Sequence, residues 1–576
     1  SDVDIIETWT EIAHAEKKNV MLRKFDSAFL PVRRGDVWLS SLYGSWANEG
    51  RLVQEPLEPG MKVIKNRDGV RNSHTAHAEV MFSLDGKPQE NYGNVIGAAL
   101  CYGGNYKLRI DTDDSEYHQF YAGINEENSV YNLKKGELFI TPALALTYSA
   151  EGLSGCSRNF HRWARKYKLA HGNSLRKILL NSWEGVYFDI NENGMNQMMG
   201  DIASMGGELF VMDDGWFGDK YKRNSDNSSL GDWKVDTGKL PGGIRKLVDD
   251  ARQYKVKFGI WIEPEMANTT SELYEQHPDW VLKAPERDLV LGRGGTQVVL
   301  DLANPAVQDF VFGVVDNLMT SYPEIDYIKW DFNRNISDAG SALLPADRQG
   351  EFFHRFILGT YELMGRIRDA FPDMLFENCS GGGGRFDPAM LAYSQQIWAS
   401  DNTDPIERLT IQFGTSMCYP ASTMGAHVSA CDRTDYKVKG DVALWGTFGY
   451  ELDPNELSAE ERGQVKKQVD EYHKYYDLIH SGDLYRLKSP YEDGYRCAWS
   501  FVAEDKSEAL ATVVTMRAPE VPFFILKFKG LDPDKHYLCD FDGRVYSGSN
   551  LMNAGLNLTR PTERTYSSLK IYLKAQ

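Results

Sequence analysis

One pattern dominates the middle of this 576-residue chain and restricts its fold more than any other feature. Between about residues 175 and 450, short apolar segments end in polar or charged residues and are followed by amphipathic stretches of helical length. This alternation is typical of consecutive βα units. Eight segments qualify as strands: Ile178–Trp183, Leu209–Asp214, Phe258–Glu263, Tyr327–Asp331, Met374–Asn378, Gln396–Asp401, Met424–Val428 and Ala443–Phe448. Eight such units predict a closed (β/α)8 barrel.

A ninth apolar run, Gln297–Leu302, also has the composition of a strand. We place it as an excursion before the fourth barrel strand. Its periodicity alone leaves a barrel position open, because a short apolar run of this kind fits either location.

The two ends of the chain have a different pattern from the middle. Short alternating segments separated by turn residues occupy the first part, as in Asn94–Tyr102 and Glu137–Pro142. After a helical stretch from Ser458 to His480, alternation returns, as in Ala509–Met516 and Pro522–Lys527. These features predict antiparallel sheets on both sides of the barrel. The predicted domains are a β-sandwich over 1–165, the barrel over 166–485 and a C-terminal β-domain over 486–576.

Composition excludes several classes of function. The 82 acidic and 64 basic side chains give a formal charge of −18, which opposes binding to nucleic acid or to an anionic membrane and favours a neutral ligand. Seven cysteines without a CxxC pair fit neither a disulfide scaffold nor a zinc site. No run of eighteen apolar residues and no signal-like start are present, so a soluble protein of the cytoplasm or periplasm is expected.

The predicted strand ends combine carboxylates with indole rings. In a barrel of this kind, polar residues at the carboxyl ends of the strands face the active-site mouth. Carboxylates accept hydrogen bonds from vicinal hydroxyls, and aromatic faces cover the apolar C–H patches of a sugar ring. The combination indicates a sugar ligand. The residues concerned are Trp183, Glu184, Asp213, Asp214, Trp261, Glu263, Glu265, Lys329, Asp331, Asn333, Glu377, Cys379, Asp401 and Asp404.

Asp331 is the strongest candidate for a catalytic group. Lys329 lies two residues before it, so both side chains point to the same side of the sheet. A cation nearby would keep the carboxylate ionised, as a nucleophile requires, but a structural salt bridge between the two fits equally well. Asp401 follows another predicted strand and could face Asp331. A distance of about 5–5.5 Å between the two carboxyl groups would give retention of the anomeric configuration. A distance of about 6.5–9.5 Å would give inversion.

Other motifs favour structural interpretations. Asp213 and Asp214 lack the spacing of a calcium loop, so we expect no metal. The glycine run Gly381–Gly384 lacks the Lys-Ser or Lys-Thr of a phosphate loop and indicates a tight turn or close backbone approach to a ligand. His427 is more typical of a core or supporting histidine than of a base.

Six motifs occur in order along the chain: Asn181–Asp189, Phe210–Gly218, Trp261–Met266, Lys329–Arg334, Glu377–Asp387 and Trp398–Asp404. Together they resemble those of the α-galactosidases of glycoside hydrolase family 36, and the resemblance extends over essentially the whole chain. The resemblance implies a retaining double displacement without a cofactor, in which Asp331 is the nucleophile and Asp401 the general acid/base. The expected substrate is a terminal, non-reducing α-galactoside.

The resemblance also implies the residues that bind galactose. Asp213 and Asp214 correspond to the pair that binds O4 and O6, and Trp183 and Trp261 correspond to the aromatic walls. Lys329 and Asn333 are implied to contact ring hydroxyls, and Cys379 and Gly382 to line the C2 side. Arg293 corresponds to the family's sugar-binding arginine.

Three further expectations concern assembly and alternative functions. The start of the chain resembles the middle of the family's N-terminal sandwich, so we expect that domain to be incomplete. A homo-oligomer, a tetramer by resemblance, is expected, in which a neighbour's N-terminal domain contributes to the active-site rim. The alternatives are an α-N-acetylgalactosaminidase, a transglycosylase resembling raffinose synthase, and a sugar-binding protein without activity.

Overall fold

The computed structural model describes residues 2–170, 172, 174–520 and 523–576, and its central segment forms a closed barrel of eight parallel strands. In barrel order, these strands are Leu179–Asn181, Leu209–Met212, Lys257–Ile262, Ile325–Trp330, Leu375–Asn378, Gln396–Trp398, Met424–Ser429 and Thr447–Glu451. The first strand pairs with the eighth and so closes the barrel. The predicted barrel is therefore confirmed.

The eighth strand begins four residues later than predicted. Asp435 caps the helix Tyr436–Ala443, because its carboxylate accepts a hydrogen bond from Val438 N at 3.0 Å. Ala443 and Leu444, which we assigned to the strand, instead form the end of this helix and its C-terminal cap. Both are strong helix formers, and the β-favouring residues begin only at Thr447.

Helices follow most of the strands on the outside of the barrel. Between the fifth and sixth strands, however, there is only the glycine run and a 3₁₀ turn, Met390–Ala392, so this unit lacks the predicted helix. The glycines leave room for close backbone contacts in its place. The principal barrel helices are Glu192–Ser204, Gly243–Tyr254, Pro305–Ser321, Phe352–Ala370, Pro405–Thr415, Tyr436–Ala443 and Ala459–Ser481.

The ninth apolar run lies outside the barrel, as predicted. Its strand, Gln297–Val299, pairs antiparallel with Met266–Asn268, which follows the third barrel strand. A short helix, Glu272–Gln276, lies between the two partners. The excursion thus holds the loop that carries Arg293 beside the mouth of the barrel.

Two antiparallel sheets form most of the region before the barrel. The six-stranded sheet contains Ile5–Thr8, Leu144–Ser149, Val95–Leu100, Ala76–Ser83, Trp38–Tyr43 and Arg51–Pro56, in that order. The four-stranded sheet contains Ala28–Arg33, Tyr117–Ile124, Tyr106–Thr112 and Gly60–Lys65. Phe82 and Phe120, one from each sheet, are buried with ring centroids 5.2 Å apart. Two short pairs, Val20–Leu22 with Tyr131–Leu133 and Glu11–Ile12 with Phe139–Ile140, accompany them.

The region after the barrel is also an antiparallel sheet. Its strands, in order, are Asp483–Lys488, Arg496–Val502, Glu508–Thr515, Ser567–Ala575, His536–Cys539 and Val545–Ser547. The domain boundary that we placed after residue 485 falls inside the first of these strands. Trp499 stacks on Trp445 of the barrel at 4.1 Å, with both rings buried, and so fixes the sheet against the barrel.

Two remaining observations concern the helices and the C-terminal segment. The predicted helix after the barrel is present as Ala459–Ser481, and Ser458 and Glu461 form a capping box at its start. The predicted run Pro522–Lys527 begins outside the described residues and contains a strand only at Ile525–Leu526. In the described part of the chain, no helix is both long and apolar enough to cross a membrane.

Candidate active site

A cavity of about 470 Å³ opens at the carboxyl ends of the barrel strands. Of the eleven residues proposed from the sequence, ten line it, and only Gly382 lies behind its surface. A larger cavity, of about 930 Å³, lies beside Ile6 and Tyr148 and shares no lining residue with the barrel mouth. The barrel cavity is lined by Trp46, Trp183, Glu184, Tyr187, Asp213, Asp214, Asp226, Trp261, Arg293, Lys329, Asp331, Asn333, Cys379, Trp398, Asp401, Thr403 and Glu451.

Asp331, directly after the fourth strand, is surrounded by hydrogen-bond donors. One carboxylate oxygen accepts from Asn333 Nδ2 at 2.7 Å and Trp261 Nε1 at 3.4 Å. The other accepts from Phe332 N at 2.8 Å and Gly381 N at 3.5 Å. Donors on both oxygens favour the charged form of a carboxyl group. Asp331 therefore has the surroundings of a carboxylate nucleophile.

Asp401 follows the sixth strand and has fewer donors. Its Oδ2 accepts from Trp46 Nε1 at 2.8 Å. Burial among protein atoms and the negative charge of Asp331 together raise the pKa of Asp401 to about 6, although its carboxyl group faces the open cavity. A carboxyl group of this kind can hold a proton at mildly acidic pH and release it to a bound ligand.

Lys329 does not pair with Asp331. Its Nζ donates to Asp213 Oδ2 at 2.8 Å, and Asn181 Nδ2 donates to the same oxygen at 2.7 Å. Although burial lowers it, the pKa of Lys329 is held well above its usual value, foremost by the charge of Asp213. The salt bridge considered from the two-residue spacing is therefore wrong, and Lys329 instead forms an ion pair across the barrel.

Asp214 is paired with an arginine that the sequence did not indicate. Arg223 Nε and Nη2 donate to the two oxygens of Asp214 at 3.0 and 2.7 Å, and both side chains are buried. Burial nevertheless raises the pKa of Asp214 above its usual value. Asp226 contacts Arg223 at 3.5 Å and accepts from Arg293 Nη1 at 2.8 Å, so it links the two arginines.

Aromatic rings form two sides of the cavity. Trp261 lies parallel to Phe217, with ring centroids 6.3 Å apart, and its carbonyl oxygen accepts from Trp216 Nε1 at 3.0 Å. Trp183 makes edge contacts with Tyr187 and Phe188, at 5.3 and 5.2 Å. Packing on several sides fixes these indoles, as a sugar-stacking surface requires.

Three further carboxyl groups lie in or behind the cavity. Burial, followed by the charge of Glu451, raises the pKa of Glu184 to about 8. Burial, followed by the charge of Asp331, raises the pKa of Glu263 to about 8. Burial would raise the pKa of Glu451 too, but the hydrogen bond from His427 and the charge of Lys329 lower it.

Other strand-end carboxylates have structural partners instead. Glu265 accepts two bonds from Arg385, at 2.6 and 2.8 Å, and is fully buried. Asp404 caps the helix Pro405–Thr415 through Ile406 N at 2.8 Å. His427 packs on Trp398 and bonds to Glu451 at 3.2 Å, which makes it a supporting residue.

The glycine run forms a tight turn against the loop of Asp401. Gly381 and Gly382 have positive φ angles of 54° and 79°, a conformation that favours glycine. A Cβ atom on Gly382 would lie 2.7 Å from Asp401 N and 2.8 Å from Ser400 Cα. Gly382 therefore acts on the position of Asp401, whereas Cys379 reaches the cavity itself.

Three residues near the carboxylates come from the N-terminal sheets: Trp46, Glu49 and Arg71. Trp46 bonds to Asp401, and buried Glu49 accepts from Ser400 Oγ, next to Asp401. The sequence did not indicate these residues, because they lie in loops without a strand-end pattern. The short turn Gly44–Gly50 was the available sign of a protruding loop.

No group of three or more His, Cys, Asp or Glu side chains with the arrangement of a metal site occurs among residues 2–170, 172, 174–520 and 523–576. The cavity instead combines two carboxyl groups of unlike surroundings, paired acidic and basic groups and fixed indole rings. A pair of carboxyl groups, one of them able to hold a proton, is the chemical requirement for cleaving a glycosidic bond. Fold and cavity together define a barrel glycoside hydrolase.

Comparison with known families identifies the particular group. Residues 138–482 match the melibiase family model. Residues 1–134 and 496–573 match the models of the glycosyl hydrolase family 36 N-terminal and C-terminal domains. The chain belongs to glycosyl hydrolase family 36, which confirms the resemblance noted in its motifs.

Relatives of known activity extend over nearly the whole chain. Alpha-galactosidase Mel36A of Lactobacillus acidophilus is 40% identical over 580 residues, covering 99% of this chain and 78% of the relative. Alpha-galactosidase AgaA of Geobacillus stearothermophilus is 42% identical over 527 residues, covering 90% and 71%. The crystal structure of AgaA superposes with a TM-score of 0.96 at 38% identity, covering 100% of this chain and 80% of AgaA.

Proposed function

We propose that the chain is a retaining α-galactosidase that removes terminal, non-reducing α-D-galactosyl residues, with Asp331 as nucleophile and Asp401 as general acid/base. The unlike surroundings of the two carboxyl groups carry this proposal. Donors reach both oxygens of Asp331, whereas Asp401 accepts from Trp46 alone among the described residues and its pKa is raised to about 6. Two carboxyl groups that differ in this way take the separate roles that double displacement requires.

The reaction proceeds in two displacements. Asp331 attacks the anomeric carbon from the β face while Asp401 gives its proton to the glycosidic oxygen, so the aglycone leaves as an alcohol. The galactosyl group is then esterified to Asp331, and Asp401 is a carboxylate. Asp401 next takes a proton from water as its oxygen attacks the anomeric carbon. Asp331 leaves as a carboxylate, and the released galactose has the α configuration.

The remaining cavity residues bind the galactosyl ring. Asp213 and Asp214 accept from the O4 and O6 hydroxyls, and their bonds to Lys329 and Arg223 hold them in orientation. Trp183 and Trp261 cover the apolar faces of the sugar. Lys329, Asn333 and Arg293 contact further hydroxyls, Cys379 lines the C2 side, and Gly382 lets the loop of Asp401 approach.

Oligosaccharides bearing terminal α-galactose are the proposed substrates. Substituted forms of AgaA have been solved in complex with stachyose and with raffinose. In those complexes AgaA is 38% identical to this chain and superposes on it with a TM-score of 0.95. Stachyose and raffinose are therefore the first sugars to test here.

We also propose a homo-oligomeric assembly, a tetramer by family resemblance. The particle mass, measured by light scattering after size-exclusion chromatography at several protein concentrations, tests this assembly. A particle with the mass of one chain at every concentration would contradict the assembly without affecting the catalytic proposal.

The variant Asp331→Ala tests the chemistry. It should lose at least about 10⁴-fold in kcat on 4-nitrophenyl α-galactoside while keeping its melting temperature. Added azide should restore turnover and give the β-galactosyl azide, because azide enters where the carboxylate was. Asp338→Ala is the matched control, since Asp338 pairs with Arg287 at the surface. Substantial activity of Asp331→Ala without azide would refute the proposal.

A comparison of two substrates tests the sugar. The nitrophenyl α-glycosides of galactose and N-acetylgalactosamine are assayed side by side. The galactoside should have the higher kcat/KM, because buried Cys379 and the tight glycine turn border the C2 side. Preference for the acetamido sugar would instead assign the chain as an α-N-acetylgalactosaminidase. Galactose transfer to sugar acceptors in place of water would assign it as a transglycosylase.

A further inference from the structure

The segment between two N-terminal strands, Gly60–Lys65 and Ala76–Ser83, is bonded to the glycine run of the barrel. Ser73 N donates to Gly384 O at 3.0 Å, and Ser73 Oγ donates to Phe386 O at 2.8 Å. His74 Nε2 lies 2.8 Å from Gly381 O. These contacts fix the segment at the edge of the active site.

Arg71, in this segment, lies along the turn that borders Asp331. A Cβ atom on Gly384 would lie 3.2 Å from Arg71 Nε, and one on Gly381 would collide with Arg71 Nη2. The same Gly381 position is 3.2 Å from Asn333 Oδ1, and Gly381 N faces Asp331 Oδ1 at 3.5 Å. The guanidinium group therefore lies against the turn whose backbone N–H faces the Asp331 carboxylate.

Arg71 has no hydrogen-bond or ion-pair partner in the described part of the chain, and its Nε is buried. An arginine without a partner in such a position is unusual, because burial of an unpaired charge is unfavourable. Burial lowers the pKa of Arg71, and the charges of Asp331 and Asp401 are the two largest opposing effects. The two opposite charges that act most strongly on Arg71 are therefore those of the two proposed catalytic carboxyl groups.

The other charged groups around Asp331 already have partners. Lys329 is paired with Asp213, and Arg293 is paired with Asp226. Glu263 faces Asp331 from the third strand, and its pKa of about 8 leaves it neutral at mildly acidic pH. Two further titratable neighbours are Asp401 and the Cys379 thiol, and burial and the charge of Asp331 raise the pKa of each. Arg71 is the cation in this set without a hydrogen-bonded carboxylate.

We propose that Arg71 is a positioning residue that keeps Asp331 charged before attack and balances the negative charge when it passes to Asp401. This proposal rests on the roles given above to the two aspartates. In the free enzyme, Asp331 is the carboxylate. In the covalent intermediate, Asp331 is an ester and Asp401 has become the carboxylate. Arg71 lies against the glycine turn, in which Gly381 N faces Asp331 and Gly382 packs on Asp401, so it interacts with one negative charge at each stage without a hydrogen bond to either group.

The test is the pH dependence of kcat/KM on 4-nitrophenyl α-galactoside, whose acidic limb reports protonation of the nucleophile in the free enzyme. The variants are Arg71→Gln and Arg71→Met, which remove the charge, and Arg71→Lys, which keeps it. Arg67→Gln is the matched control, because Arg67 lies on the same segment but is exposed and contacts Glu127. Melting temperatures are recorded for every variant.

Loss of the charge should move the acidic limb upward by roughly one pH unit, with about a tenfold loss of kcat/KM below that limb. Arg71→Lys and Arg67→Gln should keep the wild-type limb. The pH profile of the neutral variant with the higher melting temperature is the one compared with the wild type. Arg71→Met is included because methionine fills the buried volume without needing a hydrogen-bond partner. A folded neutral variant whose acidic limb is unshifted would overturn the proposal. An acidic limb shifted by the same amount in Arg71→Lys as in the neutral variant would overturn it too.

The outcome is separable from that of the catalytic assignment. If Asp331→Ala is inactive and rescued by azide while the limb of the neutral variant stays in place, only the role of Arg71 fails. If Asp331→Ala remains active, the assignment of the nucleophile fails, whatever the Arg71 variants do.

Discussion

Lys329 and Asp213, 116 residues apart in the chain, form a buried ion pair across the barrel, with Nζ 2.8 Å from Oδ2. The pair joins the fourth strand to the end of the second strand, and Asn181 extends it to the first. Three strand ends are thus fixed relative to one another beneath the proposed sugar site.

Removing one member of this pair should destabilise the protein strongly. Lys329→Met leaves the Asp213 charge buried without its cation, at a cost of about 3–5 kcal/mol in the free energy of unfolding. The double variant Lys329→Met/Asp213→Asn should lose less than the sum of its two single variants, because it leaves no buried charge. Urea unfolding measures all three proteins. A Lys329→Met variant as stable as the wild type would show that the pair contributes nothing.

The hydrogen bond from Trp46 should set the alkaline limb of activity. It favours the charged form of Asp401, so Trp46→Phe should raise the pKa of Asp401 above about 6. The alkaline limb of kcat/KM should then move upward, by roughly half to one pH unit. Trp9→Phe is the control, since Trp9 is an exposed indole that donates to Glu11 and is not among the residues that line the cavity. A downward shift or an unmoved limb would contradict the assigned bond.

Gly382→Ala should damage catalysis through the position of Asp401. The added Cβ would collide with Asp401 N and Ser400 Cα, and the φ of 79° disfavours alanine. We expect a fall in kcat of about 100-fold or more, because small displacements of a catalytic group are costly. Gly463→Ala is the control, since Gly463 lies within a helix with no atom near its Cβ position. That change should instead stabilise the protein by about 1 kcal/mol. Equal activity of the two variants would contradict this account.

Glu263 should make stability fall as pH rises. It is fully buried, and its Oε2 has no partner among the described residues. The pKa of Glu263 is about 8 in the folded protein against an ordinary value of 4.5, so the unfolded chain releases this proton first. The associated stability is complete below about pH 4.5 and is lost as pH rises through about 8.

Glu263→Gln tests this effect, because glutamine stays neutral and can still accept from Asn333 N. The melting temperature of the variant minus that of the wild type should increase between pH 5 and pH 8. Exposed Glu286→Gln should show a constant difference. A constant difference for Glu263→Gln as well would mean that Glu263 does not carry the buried proton.

The sequence was sufficient for the barrel and for most of the cavity lining, because both depend on local periodicity. Apolar runs that end in Asp213, Asp331 or Asp401 place those side chains at the mouth whichever residues they contact there. The eighth strand was misplaced because Ala443 and Leu444 are apolar and suit either a strand or a helix. Only the cap at Asp435 decides between the two.

The pairing of charges was not predictable in the same way. A spacing of two residues places Lys329 and Asp331 on one face, but the partner of Lys329 comes from another strand. Arg223 and Arg71 lie in loops whose path depends on the whole fold. Their roles follow from tertiary contacts, which no local pattern in the sequence encodes.

Trp46, Glu49 and Arg71 reach the proposed catalytic carboxyl groups from a part of the chain that folds as separate sheets. If their proposed roles hold, replacing this N-terminal region by one with other residues at these positions would change the protonation of Asp401 and the field at Asp331. Such chimaeras would differ in the pH range of activity while keeping every barrel residue. For protein engineers, this gives a way to retune the working pH of the enzyme without altering the residues that touch the sugar.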